Sequence, residues 1–208
     1  MSFLAALSTA ASADLIGQWT FENGSLEDGT GNWPDLELKG NAQIVDGELD
    51  VNGSGTNATG WAATGPGDYA GGDIGEKTLV AWITIQSPSP SVRAGSAITI
   101  DTQTGDQFDG IIFAERDPNR WMNGSNGFSR TPSSFANGNE TATDGTEQVQ
   151  VAITYEDTGG GGVRITGYRN GMEMGQYDDN PFAVWSPGNV EIILGKRHGD
   201  PNSGAPGG

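Results

Sequence analysis

Along residues 147–156 (EQVQVAITYE) apolar and polar positions alternate, with Val149, Val151, Ile153 and Tyr155 on one side and Gln148, Gln150, Ala152 and Thr154 on the other. A period of two predicts a strand with one face in a core and the other wet or lightly covered. Residues 78–86 (TLVAWITIQ) are apolar on both parities, which predicts a strand inside a sandwich with neighbours on both faces. Residues 163–169 and 172–177 flank Asn170-Gly171, a pair that tolerates the two positive φ angles of a type I′ turn and so predicts a hairpin. Shorter runs at 15–22, 36–38, 43–45, 48–51, 60–64, 97–101, 110–115 and 190–196 predict further strands. They are broken every eight to fifteen residues by Gly, Asn, Asp and Pro. No window sustains the i, i+3, i+4, i+7 pattern of an amphipathic helix. About a dozen short strands with long polar loops predict an all-β, two-sheet antiparallel jelly-roll sandwich.

Composition narrows the function. The chain has 208 residues, 34 of them Gly, with 27 acidic against 10 Lys and Arg side chains, one His and no Cys, for a net charge of -17. That balance argues against nucleic acid, whose phosphates need clustered cations, and against anionic membranes. Without Cys, disulfides, Fe–S clusters, Cys-ligated zinc and thiol nucleophiles are excluded, and His198 alone excludes multi-His metal sites. Residues 1–13 (MSFLAALSTAASA) hold a short apolar run and an Ala11-Ser12-Ala13 cleavage pattern. They read as a signal peptide whose missing positive n-region implies a truncated or mis-called start. The expected protein is exported or on a bacterial cell surface, with one domain at 14–199 and a Gly/Pro-rich tail at 200–208. No other segment approaches the roughly 20 apolar residues of a membrane span.

The order of these pieces resembles the laminin-G-like, concanavalin A-like lectin/glucanase superfamily, in particular the LamG domains of exported, planctomycete-type bacterial proteins. The likeness is carried by LIGQWTFE (15–22) followed by DGTGN (28–32), TLVAWITI (78–85), DGIIFAERDPNRWMNGSNGFSRT (109–131), VQVAITY (149–155) and YRNG (168–171). The resemblance implies a concanavalin A-like jelly roll and a non-catalytic module that binds a carbohydrate or a surface protein. It also implies one structural Ca²⁺ near the domain start, where Asp28, Asn32 and Asp35 match; Asp178, Asp179 and Asp200 are secondary candidates. Loops dense in Asp and Asn supply hard oxygen ligands, but the same residues serve in Asx turns. Family members close with a strand bearing Ile-Asp-Glu and Arg, whereas residues 201–208 here read PNSGAPGG. Against the resemblance, either the sequence is a fragment of a longer chain or the last strand is lost, and a sandwich without it is expected to have an open sheet edge, able to self-associate or to take a strand from a partner.

Catalysis has weak support in the residues. Glucanases of the superfamily carry closely spaced carboxylates on one strand. The strand at 190–196 has only Glu191, and the period-two set Asp46, Glu48 and Asp50 suits the solvent side of an edge strand. His198 lacks the nucleophile elbow a triad needs. For ligand recognition, Trp19 and Trp82 lie in apolar runs and are expected in the core, while Trp33, Trp61, Trp121 and Trp185 have polar or Gly/Pro neighbours where a ring could stack on a sugar. Residues 115–130 concentrate Arg116, Arg120 and Arg130 around Trp121. This is either a ligand-binding cluster or an internal network in which Glu115 and Asp117 neutralise the arginines.

Overall fold

A computed structural model describes residues 13–51, 60–64, 69–86, 95–103 and 107–198. Residues 1–12 of the expected signal peptide, Asp200 and the Gly/Pro-rich tail lie outside the described residues. Twelve strands appear among them: β1 (Glu37–Gly40), β2 (Gln43–Val45), β3 (Glu48–Asp50), β4 (Gly60–Ala63), β5 (Lys77–Gln86), β6 (Gly95–Asp101), β7 (Phe108–Phe113), β8 (Trp121–Ser125), β9 (Asp144–Gly159), β10 (Gly162–Arg169), β11 (Met172–Asp179) and β12 (Glu191–Leu194). Every pairing is antiparallel. One sheet runs β1-β4-β12-β6-β7-β8, a second β11-β10-β9-β5, and β2-β3 form a separate hairpin. The chain is thus an all-β antiparallel sandwich, and no described helix is long and apolar enough to cross a membrane.

The period-two pattern of β9 becomes the sandwich interior. Val149, Val151 and Ile153 have no exposed surface, and they meet Ile100, Ile111, Phe113, Ile192 and Leu194 of the six-stranded sheet in one apolar cluster. At about 25 cal/mol per Å² of apolar area, a cluster of this size is the main stabilising term. The hairpin at Asn170-Gly171 forms as its sequence predicts, both residues having positive φ (48° and 76°).

Three departures have identifiable causes. Residues 15–22 form no strand, because their backbone is spent on the following loop. Gln18 N–H donates to Asp28 Oδ1 at 2.7 Å, and the Ile16 carbonyl accepts from Trp33 Nε1 at 2.8 Å. Phe21 then turns left-handed (φ 60°). β8 matches none of the expected strands; its Gly124 is required by close approach, a Cβ there lying 2.4 Å from Ile112 Cγ1. Finally, β5 is an edge strand and not an interior one: Trp82 is 62 % and Val80 38 % exposed.

A charged cluster lies inside the sandwich. Asp109 on β7 pairs with Lys77 of β5 at 2.8 Å and with Arg130 at 2.7 Å, and all three side chains are buried. Lys77 Nζ also sits 4.1 Å from the ring centroids of both Tyr155 and Trp185, a favourable place for a desolvated cation. Burial pushes the Lys77 ammonium below its usual range, and Asp109 only partly offsets this.

Candidate functional site

The structure disperses the cluster expected at residues 115–130. Trp121 is 1 % exposed, packed on Phe113 at 4.7 Å with its Nε1 donating to Glu140 Oε2 at 3.0 Å. Its face is therefore not free to stack on a sugar. Arg130 is consumed by Asp109. The half-buried Arg120 donates to the Phe135 and Ala136 carbonyls at 3.3 and 3.0 Å, and the exposed Arg116 donates to the Thr131 carbonyl while lying 4.8 Å from the Phe128 ring. Each arginine has a different partner, so the four side chains do not converge. The internal partners also differ from those expected: Glu115 pairs with Arg197, and Asp117 accepts the Ser134 hydroxyl at 2.7 Å.

At the domain start, Asp28 is buried and its two oxygens take five donors. Oδ1 accepts Gln18 N at 2.7 Å and Thr30 N at 3.1 Å; Oδ2 accepts Thr30 Oγ1 at 2.5 Å, Asn32 N at 2.9 Å and Trp33 N at 3.1 Å. Burial alone would raise this carboxyl, but the Thr30 hydroxyl and the backbone N–H groups outweigh it and hold the pKa below the usual value. Five N–H and O–H dipoles present their positive ends where a cation would have to sit. Asn32 Nδ2 meanwhile donates to the Ile16 carbonyl at 3.3 Å, and Asp35 is exposed. This loop does not fit Ca²⁺: Asp28 is its organising residue, in the Asx-turn role. Asp178 is taken by Arg164 at 2.8 Å, and Asp179 Oδ1 accepts Asn180 N at 2.8 Å. Asp46 sits in the β2–β3 turn, so it does not share a strand with Glu48 and Asp50.

One carboxyl pair was hidden from sequence reading because it spans two strands. Glu191 of β12 lies directly opposite Asp101 of β6, and such partners share a face. Asp101 Oδ2 is 2.9 Å from His198 Nδ1. Burial, and then the Asp101 charge, raise the Glu191 carboxyl to about 7 against the opposing pull of His198 and Lys196. Asp101 has no exposed surface, so it cannot reach a substrate, and the pair does not suit glycoside hydrolysis. It does make stability depend on pH. A carboxyl whose folded pKa lies above its unfolded value stabilises fully below the unfolded value, and this contribution is lost as pH rises from about 4.5 through about 7. Glu191→Gln should therefore be more stable than wild type at pH 8, by about 2 kcal/mol after allowance for partial exposure, and near-equal at pH 4.5. Urea unfolding at the two pH values checks this; a variant less stable at pH 8 contradicts it.

The tryptophans expected to be exposed are largely inside. Trp33 and Trp185 are 6 % and 0 % exposed, and Trp61 lies under Lys196 Nζ at 4.5 Å. The exposed ring is Trp82. It stands on the outer face of the four-stranded sheet, opposite Gln150 of β9, and the adjacent row holds Val80, Ala152 and Tyr168. Beyond these lie Thr78, Thr154, Thr166 and Gln176, in register across all four strands. Charge on this face comes from Asp144, Glu156, Glu173, the Arg164–Asp178 pair and Glu48, whose Oε1 accepts Gln148 Nε2 at 3.3 Å. Thr166 is itself buried, its hydroxyl accepting Gln176 Nε2 at 3.0 Å, so in a chain of net charge -17 the middle of this sheet is an uncharged surface of Trp82, Val80, Ala152 and Tyr168 beside the Gln150 side chain.

No family model matches the chain, and no curated protein matches it in sequence. Among solved structures it is similar to a legume lectin-like domain from Entamoeba histolytica, with 11 % identity and a TM-score of 0.47 over 76 % of this chain and 80 % of that one. It is also similar to the carbohydrate recognition domain of Emp47p, with 11 % identity and a TM-score of 0.47 over 76 % of this chain and 78 % of that one.

Proposed function

We propose that this chain is a non-catalytic carbohydrate-binding module that takes its ligand on the outer face of the four-stranded sheet, with Trp82 as the stacking residue. The observation that carries the reading is a tryptophan 62 % exposed in an uncharged patch, with the Gln150 amide opposite it and Tyr168 in the next row. An indole ring stacks on the apolar face of a pyranose, and Gln and Tyr side chains exchange hydrogen bonds with its hydroxyls. The absence of charge from the centre suits a neutral polyol, and the complete burial of Asp101 beside Glu191 supports a module that binds and does not cut. The order of the sequence motifs supports a laminin-G-like kinship, and residues 1–13 support a place outside the cell.

Depletion onto insoluble polysaccharides and a glycan array test this. Trp82→Ala should weaken binding about tenfold or more while leaving the melting temperature of dilute, monomeric protein close to that of wild type, because most of the ring is exposed in the single chain. Equal binding by the variant, or no glycan bound by wild type, would end the proposal; retention of a surface protein in place of glycans would redirect it.

A further inference from the structure

β5 ends its sheet: β9 pairs with one edge, and among the described residues no backbone group pairs with the other. Its inward-facing Ala81, Ile83 and Ile85 are only half-buried, whereas Val149, Val151 and Ile153 of the neighbouring strand are fully buried. Edge strands are usually protected from pairing by an exposed Lys, by Pro or by shortness. This one is 10 residues long. It has no Pro, its single Lys77 is turned inward and buried, and its outer row of Thr78, Val80, Trp82 and Thr84 is uncharged.

The strand is also self-complementary. Residues 78–84 read T-L-V-A-W-I-T, which is palindromic in character about Ala81. Antiparallel pairing with an identical strand about a twofold axis at Ala81 sets Thr78 against Thr84, Leu79 against Ile83 and Val80 against Trp82, each twice. These are hydroxyl–hydroxyl, aliphatic–aliphatic and aromatic–β-branched pairs, the cross-strand combinations that stabilise sheets. No like charges meet, which matters in a chain carrying -17. An isologous interface requires this kind of self-match, whereas pairing with an unrelated strand does not. We propose that β5 pairs with β5 of a second copy, joining the two four-stranded sheets into one continuous sheet. The inference does not depend on the carbohydrate reading. Where both hold, the two Trp82 rings lie about 8 Å apart on one shared face, from the strand spacing and the rise per residue.

Sedimentation equilibrium of the full chain over micromolar to sub-millimolar concentration should show a mass twice that of the chain. Thr78→Lys/Thr84→Lys places like charges opposite each other at both ends of the pairing and should raise the dimer dissociation constant about tenfold or more. Thr78→Lys/Thr84→Glu places opposite charges at the same points and should restore the dimer, which only this register predicts. Ala81→Cys, in a chain with no Cys, should oxidise to a disulfide-linked dimer because the two copies of the residue meet at the axis. A wild type that stays monomeric, a dimer indifferent to the paired lysines, or an Ala81→Cys chain that does not cross-link would each overturn the proposal. The last readout decides the matter if the lysine variant does not fold.

Discussion

Asp109→Asn is expected to destabilise the protein by about 3–5 kcal/mol, a large share of the roughly 5–15 kcal/mol typical of a domain. The substitution keeps the shape but removes the only anion between Lys77 and Arg130, leaving two buried cations 2.8 and 2.7 Å from a neutral amide. Lys77→Met should cost less than half as much. It leaves Asp109 and Arg130 as a one-to-one pair with three hydrogen bonds from the guanidinium, one of them to the Phe108 carbonyl at 2.8 Å. The order of the two variants is the informative result, since simple loss of packing volume would hurt Lys77→Met more. Urea unfolding at pH 7 measures both; Asp109→Asn within 1 kcal/mol of wild type, or the milder of the two, refutes the account.

Glu140 carries the second large effect, and it appears as a limb of the acid-stability curve. The side chain is buried, and its carboxylate accepts Arg169 Nε at 2.7 Å and Nη2 at 2.8 Å, Trp121 Nε1 at 3.0 Å, and the backbone N–H groups of Thr141 and Ala142 at 2.8 and 2.9 Å. Burial alone would raise its pKa, but these donors outweigh it and bring the group down to about 2. The folded pKa lies below the unfolded one, so the unfolded chain binds more protons between them. The stabilisation is complete above about 4.5 and is lost as pH falls towards about 2. Its size is about 2–3 kcal/mol. Glu140→Gln should lose that much at pH 7, show a flatter stability curve between pH 4.5 and pH 2, and converge on wild type at the acid end. A variant that tracks wild type in parallel over the whole range contradicts the assignment.

Much of the fold was legible because a strand writes its burial into its own sequence. The alternation in β9 needed no knowledge of its neighbours, and Asn170-Gly171 states its turn locally. Position within a sheet is different. The runs TLVAWITI and WMNGS give no sign that β5 lies at an edge or that β8 is a strand at all, because both properties are decided by what packs beside them. The candidate site failed to read for the same reason. Polar neighbours in sequence made Trp33, Trp121 and Trp185 look exposed, yet the fold brings them apolar neighbours from distant strands. Apolar neighbours in sequence made Trp82 look buried, yet Leu79, Ala81 and Ile83 line the opposite face. Glu191 and Asp101 are 90 residues apart in the chain and become a pair only through the β12–β6 register.

That register has a consequence for how the protein is made. β12 sits in the middle of the six-stranded sheet, between β4 and β6, and Ile192 reaches Thr64 across 128 residues of chain. Until β12 emerges from the ribosome, β1-β4 and β6-β7-β8 are two fragments with raw facing edges, and neither can complete the sandwich. Closure therefore waits for residues 191–194, after nearly all of the described chain has been synthesised. Long-range pairings of this kind fold slowly, and the interval with unpaired edges is when chaperones would find the chain still extended.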